Sequence, residues 1–241
     1  LAYEDSTVIG LQHRNGMVTL LPPLDSRIES GDTIIAISED DDTIRLSGST
    51  PLIDADAIQQ LSAAPARPER TLILGWNRRA TTIINELDNY VAPGSEVLVV
   101  TDAVLVESAI TEHCPDLANL NVSVQDSRTT DRRVLDALDV TSYDHVITLS
   151  SSDVMTPQEA DALTLITLLH LRDIGDKTGR DLSIVSEMLD LRNRELAEVT
   201  RADDFIVSDR LISLLLSQVS ENRSLMAVFD DLFDPEGAEI Y

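Results

Sequence analysis

The chain has 241 residues and 43% apolar side chains, enough to build one large or two modest domains around a true core. Its 43 acidic against 18 basic residues give a net charge of −25, a field that repels nucleic acid and anionic lipid and so argues against phosphate-backbone binding. No apolar run reaches the roughly 18 residues needed to span a bilayer, no signal-peptide pattern opens the chain, and the lone Cys114 excludes an internal disulfide framework and fits a buried structural thiol in a reducing compartment.

In chain order, Thr7–Leu11 and Met17–Leu21 read as strands joined at His13-Arg14-Asn15-Gly16. Asn-Gly between apolar runs is a hairpin signal, because a two-residue turn needs positive φ at both positions. A second turn at Ser30-Gly31-Asp32 leads into Thr33–Ser38, and this small strand-rich lobe ends near Ile44–Leu46. Residues 49–69, with Pro51, Pro65 and Pro68, read as a connector carrying one short helix around Ala55–Leu61.

The next stretch, Arg70-Thr-Leu-Ile-Leu-Gly-Trp-Asn-Arg-Arg-Ala80, organises the rest. An apolar strand stops at Gly75 and passes into the helical pattern Ile83, Ile84, Leu87, Tyr90, Val91. Strand, glycine turn and helix open a dinucleotide-binding unit, in which the turn and helix N-terminus cradle a pyrophosphate. The G-x-G-x-x-G fingerprint is altered, with Gly75, Asn77 and Ala80 at its three positions and Trp76 adding bulk. Arg78 and Arg79 stand at the positive end of the helix dipole, a costly placement without an anion or carboxylate beside them. The altered turn predicts poor NAD binding, with the arginines paired to Asp102 or Asp126.

Strand Glu96–Val100 ends at Thr101-Asp102, and Asp102 stands where such folds hold ribose hydroxyls. Helix Ala103–His113, strand Asn121–Val124 with Gln125-Asp126, and strand His145–Leu149 with Ser150-Ser151-Ser152-Asp153 follow. Thr156 as N-cap, Pro157 at the first helical position and Glu159 three residues after the cap announce a helix that stops by Gly175. Strand Leu182–Ser186 ends at Glu187, with Asp190 just after, and Phe205–Val207 gives a last short strand. Apolar strands alternating with helices predict an α/β fold, a doubly wound parallel sheet of Rossmann type, preceded by the β-rich lobe and followed by two helices.

Ligands in such sheets bind outside the carboxyl ends of the strands, so Gly75, Trp76, Asn77, Arg78, Arg79, Asp102 and Asp126 form the candidate crevice. The carboxylates Asp102, Asp126, Asp153, Glu187 and Asp190 are candidates for a divalent cation such as Ca²⁺, which takes six to eight oxygens, although no fixed-spacing loop is present. The bland reading is a solvated acidic surface, of the kind a salt-adapted host or a GC-rich genome produces. Of the two closing helices, Asp209–Val219 is apolar on more than one stripe, and Leu211, Leu215, Val219, Met226 and Phe229 are candidate interface residues.

Leu74-Gly75-Trp76-Asn77-Arg78-Arg79, Leu87-Asp88 leading to Ala92-Pro93-Gly94-Ser95-Glu96, Asp209-Arg210-Leu211-Ile212-Ser213 with Glu221-Asn222, and the ending Leu232 to Tyr241 together resemble the regulator-of-K⁺-conductance (RCK) regions of the Castor and Pollux ion channel family and its prokaryotic relatives. The resemblance covers nearly the whole chain. It implies residues 1–48 as the β-rich C-terminal lobe of a preceding RCK unit, 49–69 as connector, 70–207 as the Rossmann-like lobe and 208–241 as crossover and interface helices. It implies further a non-enzymatic, ligand-sensing gating-ring region that biases a cation pore. Its partners would be other RCK units of a tetrameric channel with pore helices upstream, placing the region on the cytoplasmic side of a membrane protein. The start at Leu1, without a methionine, fits a piece of a longer chain.

Two other readings stand beside this one. An NAD-dependent oxidoreductase would need a catalytic acid or base, and His13, His113, His145 and His170 fall in a turn, at a strand start or near helix ends. A free-standing regulatory subunit of a K⁺ transporter would differ only in where the pore helices are encoded.

Overall fold

The computed structural model describes residues 3–4, 6–23, 25–39, 44–48, 67–193 and 204–234. The helix expected at Ala55–Leu61 and the chain's last residues lie outside them. The chain divides into two compact units, Leu1–Ala64 with Leu216–Tyr241, and Pro65–Leu215.

In the first unit β1 (Ser6–Gln12) is the centre of a three-stranded antiparallel sheet between β2 (Val18–Leu20) and β3 (Thr33–Ser38). The expected hairpin is present, but its turn is not of the two-residue kind. Gly16 alone has positive φ, at 88°, while its N–H donates to the His13 carbonyl and the His13 N–H to Met17. A wider loop closed by a left-handed glycine replaces the tight turn, so Asn15 needs no strained φ and its side chain instead accepts from the Met17 N–H at 3.0 Å. Tyr3 and Leu46 bridge antiparallel at the margin of the lobe.

The second unit is a six-stranded, wholly parallel sheet: β4 (Arg70–Leu74), β5 (Ser95–Thr101), β6 (Leu120–Asp126), β7 (His145–Thr148), β8 (Ile184–Met188) and β9 (Asp204–Val207). The spatial order is β6-β5-β4-β7-β8-β9, the doubly wound order whose switch point lies between β4 and β7. Strand alternation feeds two apolar layers. Leu72, Leu74, Val100 and Val146 pack with Leu135 of α3 (Arg132–Ala137) and Leu168, Leu171 and Ile174 of α4 (Pro157–Thr178). Ile73, Val97 and Val99 face the other way, against Ala80 and Ile84 of α1 (Ala80–Tyr90) and Val106 of α2 (Val106–His113). Ala80 is fully buried there, so a methyl suffices where the fingerprint places its third glycine. Cys114 is buried in this second layer, and burial pushes its thiol pKa up, away from reactivity.

Three boundaries differ from the sequence reading for identifiable reasons. The chain between β5 and α2 stays irregular to Leu105, which takes a left-handed φ of 63° as N-cap, so α2 starts at Val106. Helix α4 runs through Gly175 to Thr178 and ends at Gly179, whose φ of 66° supplies the left-handed C-terminal stop. Gly175 has a packing role instead: a Cβ there would lie 3.0 Å from the Arg180 carbonyl as the chain folds back. Strand β8 extends to Met188, which places Glu187 inside the strand rather than beyond its end. The capping box of α4 is formed as its residues require, with the Thr156 N–H donating to Glu159 Oε2 at 3.1 Å.

Helix α5 (Ser208–Glu221) follows β9 directly, and the division between the units falls within it. In the first unit α6 (Leu225–Phe233) packs on β2, burying Val228 and stacking Phe229 on Phe233 with ring centres 6.3 Å apart.

Candidate functional site

Gly75 ends β4 with φ of 93° while its N–H donates to the Val100 carbonyl at 2.9 Å. Any Cβ at this position would lie 2.3 Å from the Leu149 carbonyl oxygen of the neighbouring strand end. Both the φ and the close approach at the switch point demand glycine. The turn that follows is built on Asn77, whose side chain is wholly buried. Its Oδ1 accepts from the Arg79 N–H at 2.9 Å and its carbonyl from the Ala80 N–H at 3.0 Å, while its Nδ2 donates to the Ser150 carbonyl at 2.8 Å and to Glu187 Oε2 at 2.7 Å.

Glu187 is 7% exposed, and its carboxylate forms an ion pair with the Arg79 guanidinium and accepts the Ser150 N–H at 3.2 Å. Beside it the Arg78 N–H donates to Asp153 Oδ2 at 2.6 Å. The N–H groups of Arg78, Arg79 and Ala80, which in a pyrophosphate turn would face the ligand, are therefore bonded within the chain. Asp153 is the carboxylate that takes one of these N–H groups, and Glu187 lies beside it on the Asn77 side chain. Glu187 thus pairs with the Arg79 guanidinium and Asp153 accepts from the Arg78 backbone N–H, the places expected of Asp102 or Asp126.

A crevice of about 250 Å³ opens on one side of the turn, lined by Gly75, Thr101, Asp102, Arg128, Ser151 and Thr164 among others, with Met155 and Leu163 as its apolar part. Asp102, at the carboxyl end of β5, is exposed and pairs with Arg128 at 3.3 Å. Thr167 Oγ1 on α4 donates to Thr129 Oγ1 at 3.2 Å, tying the loop after β6 to the helix. A second, shallower hollow of about 510 Å³ lies on the other side of the turn, between Trp76, Arg78, Asn85, His113 and Asp153.

The candidate residues separate accordingly. Gly75, Asn77, Arg78, Arg79, Asp153 and Glu187 share the turn, and Asp102 lines the crevice beside Gly75. Trp76 packs half-buried against the layer under α1 and α2. Asp126 is exposed at the end of β6, opposite Thr101 in register. Asp190 is held by the Arg192 guanidinium, whose hydrogen bonds bring its carboxyl down to about pKa 2. The five carboxylates thus do not form one group: Glu187, paired with Arg79, shares the turn with Asp153, while Asp102 pairs with Arg128, Asp190 with Arg192, and Asp126 ends β6. Among the described residues no three His, Cys, Asp or Glu side chains are grouped as a metal centre needs. Of the expected interface residues, Leu211 and Met226 are exposed, while Leu215, Val219 and Phe229 are half-buried.

His13 contacts Asp32 at 3.6 Å and His145 contacts Glu69 at 3.3 Å, both outside the crevice. Sequence reasoning passed over Arg128, Ser150 and Asp161. Asp161 is fully buried on α4 and accepts from the Leu189 and Asp190 N–H groups at 2.9 and 3.0 Å and from Asn193 Nδ2 at 2.8 Å, fixing the chain beyond β8. An acidic residue in the first turns of an otherwise apolar helix face is the signal that could have found it. Arg128-Thr129-Thr130, a cation and two hydroxyls just past a strand end, carries a comparable signal.

The fold and turn define a class: a Rossmann-type sheet whose phosphate turn is closed by side chains of its own. No family model matches the chain. Its homologues are the Castor and Pollux ion channels. It is 26% identical to the probable ion channel POLLUX of Oryza sativa subsp. japonica, over 100% of this chain and 28% of that protein. It is 28% identical to the ion channel CASTOR of Lotus japonicus, over 94% of this chain and 30% of that protein. The chain thus spans less than a third of the length of these relatives. A solved RCK domain of GsuK matches over 63% of this chain and 29% of its own at 17% identity and a TM-score of 0.40.

Among the described residues no helix is long and apolar enough to cross a membrane.

Proposed function

We propose that this chain is a ligand-sensing regulatory region of a cation channel, a non-enzymatic part of a gating ring on the cytoplasmic side, which couples occupancy of the crevice beside Gly75 to a pore formed elsewhere in the protein. The observation that carries this reading is the end-to-end similarity to ion channels. The turn chemistry supports it, because a hydride-transfer enzyme has to hold a dinucleotide. Here the N–H groups that would do so are bonded to Asp153 and Asn77. Asp102 and Arg128 are the only titratable groups among the residues lining the crevice, and they neutralise one another.

Coupling requires a ligand that binds two states of the region with different free energies. The path to the rest of the ring is short: Glu187 on β8 pairs with Ile206 on β9, and β9 passes straight into α5. Assembly as a tetramer of such regions, with pore helices in the same polypeptide, is part of the proposal. A free-standing transporter subunit is the alternative for the last point.

The test uses the full-length protein in planar bilayers, with wild type compared against Asp102→Asn and Arg128→Gln. A cation current whose open probability differs between wild type and either crevice variant is expected. A current indifferent to both variants, or NADH-dependent turnover of a carbonyl substrate, would overturn the reading.

A further inference from the structure

We propose that the hollow on the other side of the turn from the crevice binds a free α-amino acid with a flat, apolar side chain. This goes beyond the regulatory reading of the crevice, because the two openings share no lining residue among those described.

The hollow has the volume for such a ligand. At about 510 Å³ it falls within the range of about 300–1,000 Å³ typical of small-molecule sites. Its walls are fixed by the chain's own bonds. Thr81, Thr82 and Asn85 line it from α1, Ala109 and His113 from α2, and Asn85 Nδ2 donates to the His113 carbonyl at 2.9 Å, tying the two helices together. Trp76 lines it too, while packing half-buried against the apolar layer under these helices, which holds the indole in place. A fixed indole is a partner for an aromatic side chain, stacked or edge-on.

Charge sets the ligand class. Arg78 and Asp153 line the hollow with opposite charges, both are exposed, and no ion pair joins them to one another or to any other described residue. The cause is local. Asp153 Oδ2 accepts the Arg78 backbone N–H at 2.6 Å, so the carboxylate is tied to the root of the arginine side chain, whereas the guanidinium stands at its end. A simple anion drawn to Arg78 would meet Asp153, and a simple cation drawn to Asp153 would meet Arg78; like charges brought together disfavour binding. A ligand that carries both charges on one carbon satisfies the two residues together. Its carboxylate takes the forked donors of Arg78, and its ammonium donates to Asp153. The α-amino acid zwitterion has this arrangement, and its side chain is then left to Trp76.

Calorimetry on the 241-residue chain, with phenylalanine, 3-phenylpropionate and phenethylamine as probes, tests the proposal. Trp76 is the only tryptophan of the chain, so its fluorescence reports on this hollow. Phenylalanine is expected to bind with a Kd of about 1 mM, the scale for so small a ligand, and to shift the Trp76 emission. The analogues 3-phenylpropionate, which lacks the ammonium, and phenethylamine, which lacks the carboxylate, should each bind at least about fivefold more weakly. Asp153→Asn keeps an oxygen for the Arg78 N–H, so the turn stands, and it should bring phenylalanine within about twofold of 3-phenylpropionate. Arg78→Gln should in the same way bring phenylalanine within about twofold of phenethylamine. No binding of phenylalanine up to about 10 mM, or heat without a change in Trp76 emission, would overturn the proposal. So would either analogue binding as tightly as phenylalanine, or either variant keeping the wild-type preference.

Discussion

Replacing Glu187 by alanine removes the acceptor shared by Arg79, Asn77 Nδ2 and the Ser150 N–H, and leaves a guanidinium that is only about one-third exposed without its partner. Unpaired buried donors and a stranded charge make this a loss of about 3 kcal/mol in chemical denaturation, with Glu187→Gln, which keeps an acceptor oxygen, losing less than half as much. Equal losses for the two variants would show that the side chain acts through packing alone. At Gly75 the prediction is steric: Gly75→Ala forces a methyl to 2.3 Å from the Leu149 carbonyl at a φ of 93° and should cost at least about 2 kcal/mol by the same measurement. The turn's residues were visible in the sequence, and so was the need for an anion beside Arg78 and Arg79. The identity of the anion was not. Glu187 lies 108 positions from Arg79, inside β8, and only the parallel register of β7 and β8 brings it next to Asn77. Long-range pairing of this kind leaves no local pattern to read.

At the scale of elements, periodicity and capping chemistry were enough to locate nearly every strand and helix of the sheet unit, because apolar runs broken by Gly, Asp and Pro are local signals. The short helix α3 was missed, since six residues with three charges carry no readable stripe; its Asp131 cap, accepting from the Arg133 N–H at 3.0 Å, is the feature that fixes it. A second device joins elements that are distant in sequence. Asp88, on the last turn of α1 and 8% exposed, accepts from the backbone N–H groups of Ala118, Asn119 and Leu120 at 2.8–2.9 Å and so holds the start of β6. Burial pushes its pKa up, but the three N–H donors together outweigh burial and hold the carboxyl below its ordinary value. A carboxyl depressed in the folded state contributes stability that is complete above the unfolded-state pKa, near 3.9, and is lost as the pH falls through the lower folded value. Asp88→Ala, leaving three donors without their acceptor, should therefore destabilise the chain by about 3 kcal/mol at pH 7. The difference from wild type should shrink below about pH 4, where the wild-type carboxyl takes up its proton. A deficit that stays constant between pH 7 and pH 2.5 would place the effect in lost packing rather than in the charge.

For the whole molecule, the opposing quantities are a net charge of −25 and an apolar face on α5. Ile212 and Leu216 lie one turn apart, as do Leu211 and Leu214, and the four are 52, 67, 47 and 52% exposed, so α5 carries two adjoining exposed apolar stripes. Burying the exposed half of each against a second copy yields about 1 kcal/mol apiece. The cost of association is at least about 4 kcal/mol, so the apolar gain and the entropic loss nearly cancel and charge decides the outcome. At 0.01 M salt the Debye length is about 30 Å and the copies repel over their whole width; at 1 M it is about 3 Å and only direct contacts count. Sedimentation of the chain should accordingly give a monomer at the lower salt concentration and a growing fraction of dimer or higher species at the upper one. The double variant Leu214→Glu, Leu216→Glu should remain monomeric at both, because it places carboxylates on the stripes themselves. Association that ignores salt would remove charge from the balance, and association unaffected by the double variant would move the contact away from α5. If the gating-ring proposal holds, the sequence tolerates this weak contact because attachment to a common pore would supply the effective concentration that four separate chains lack.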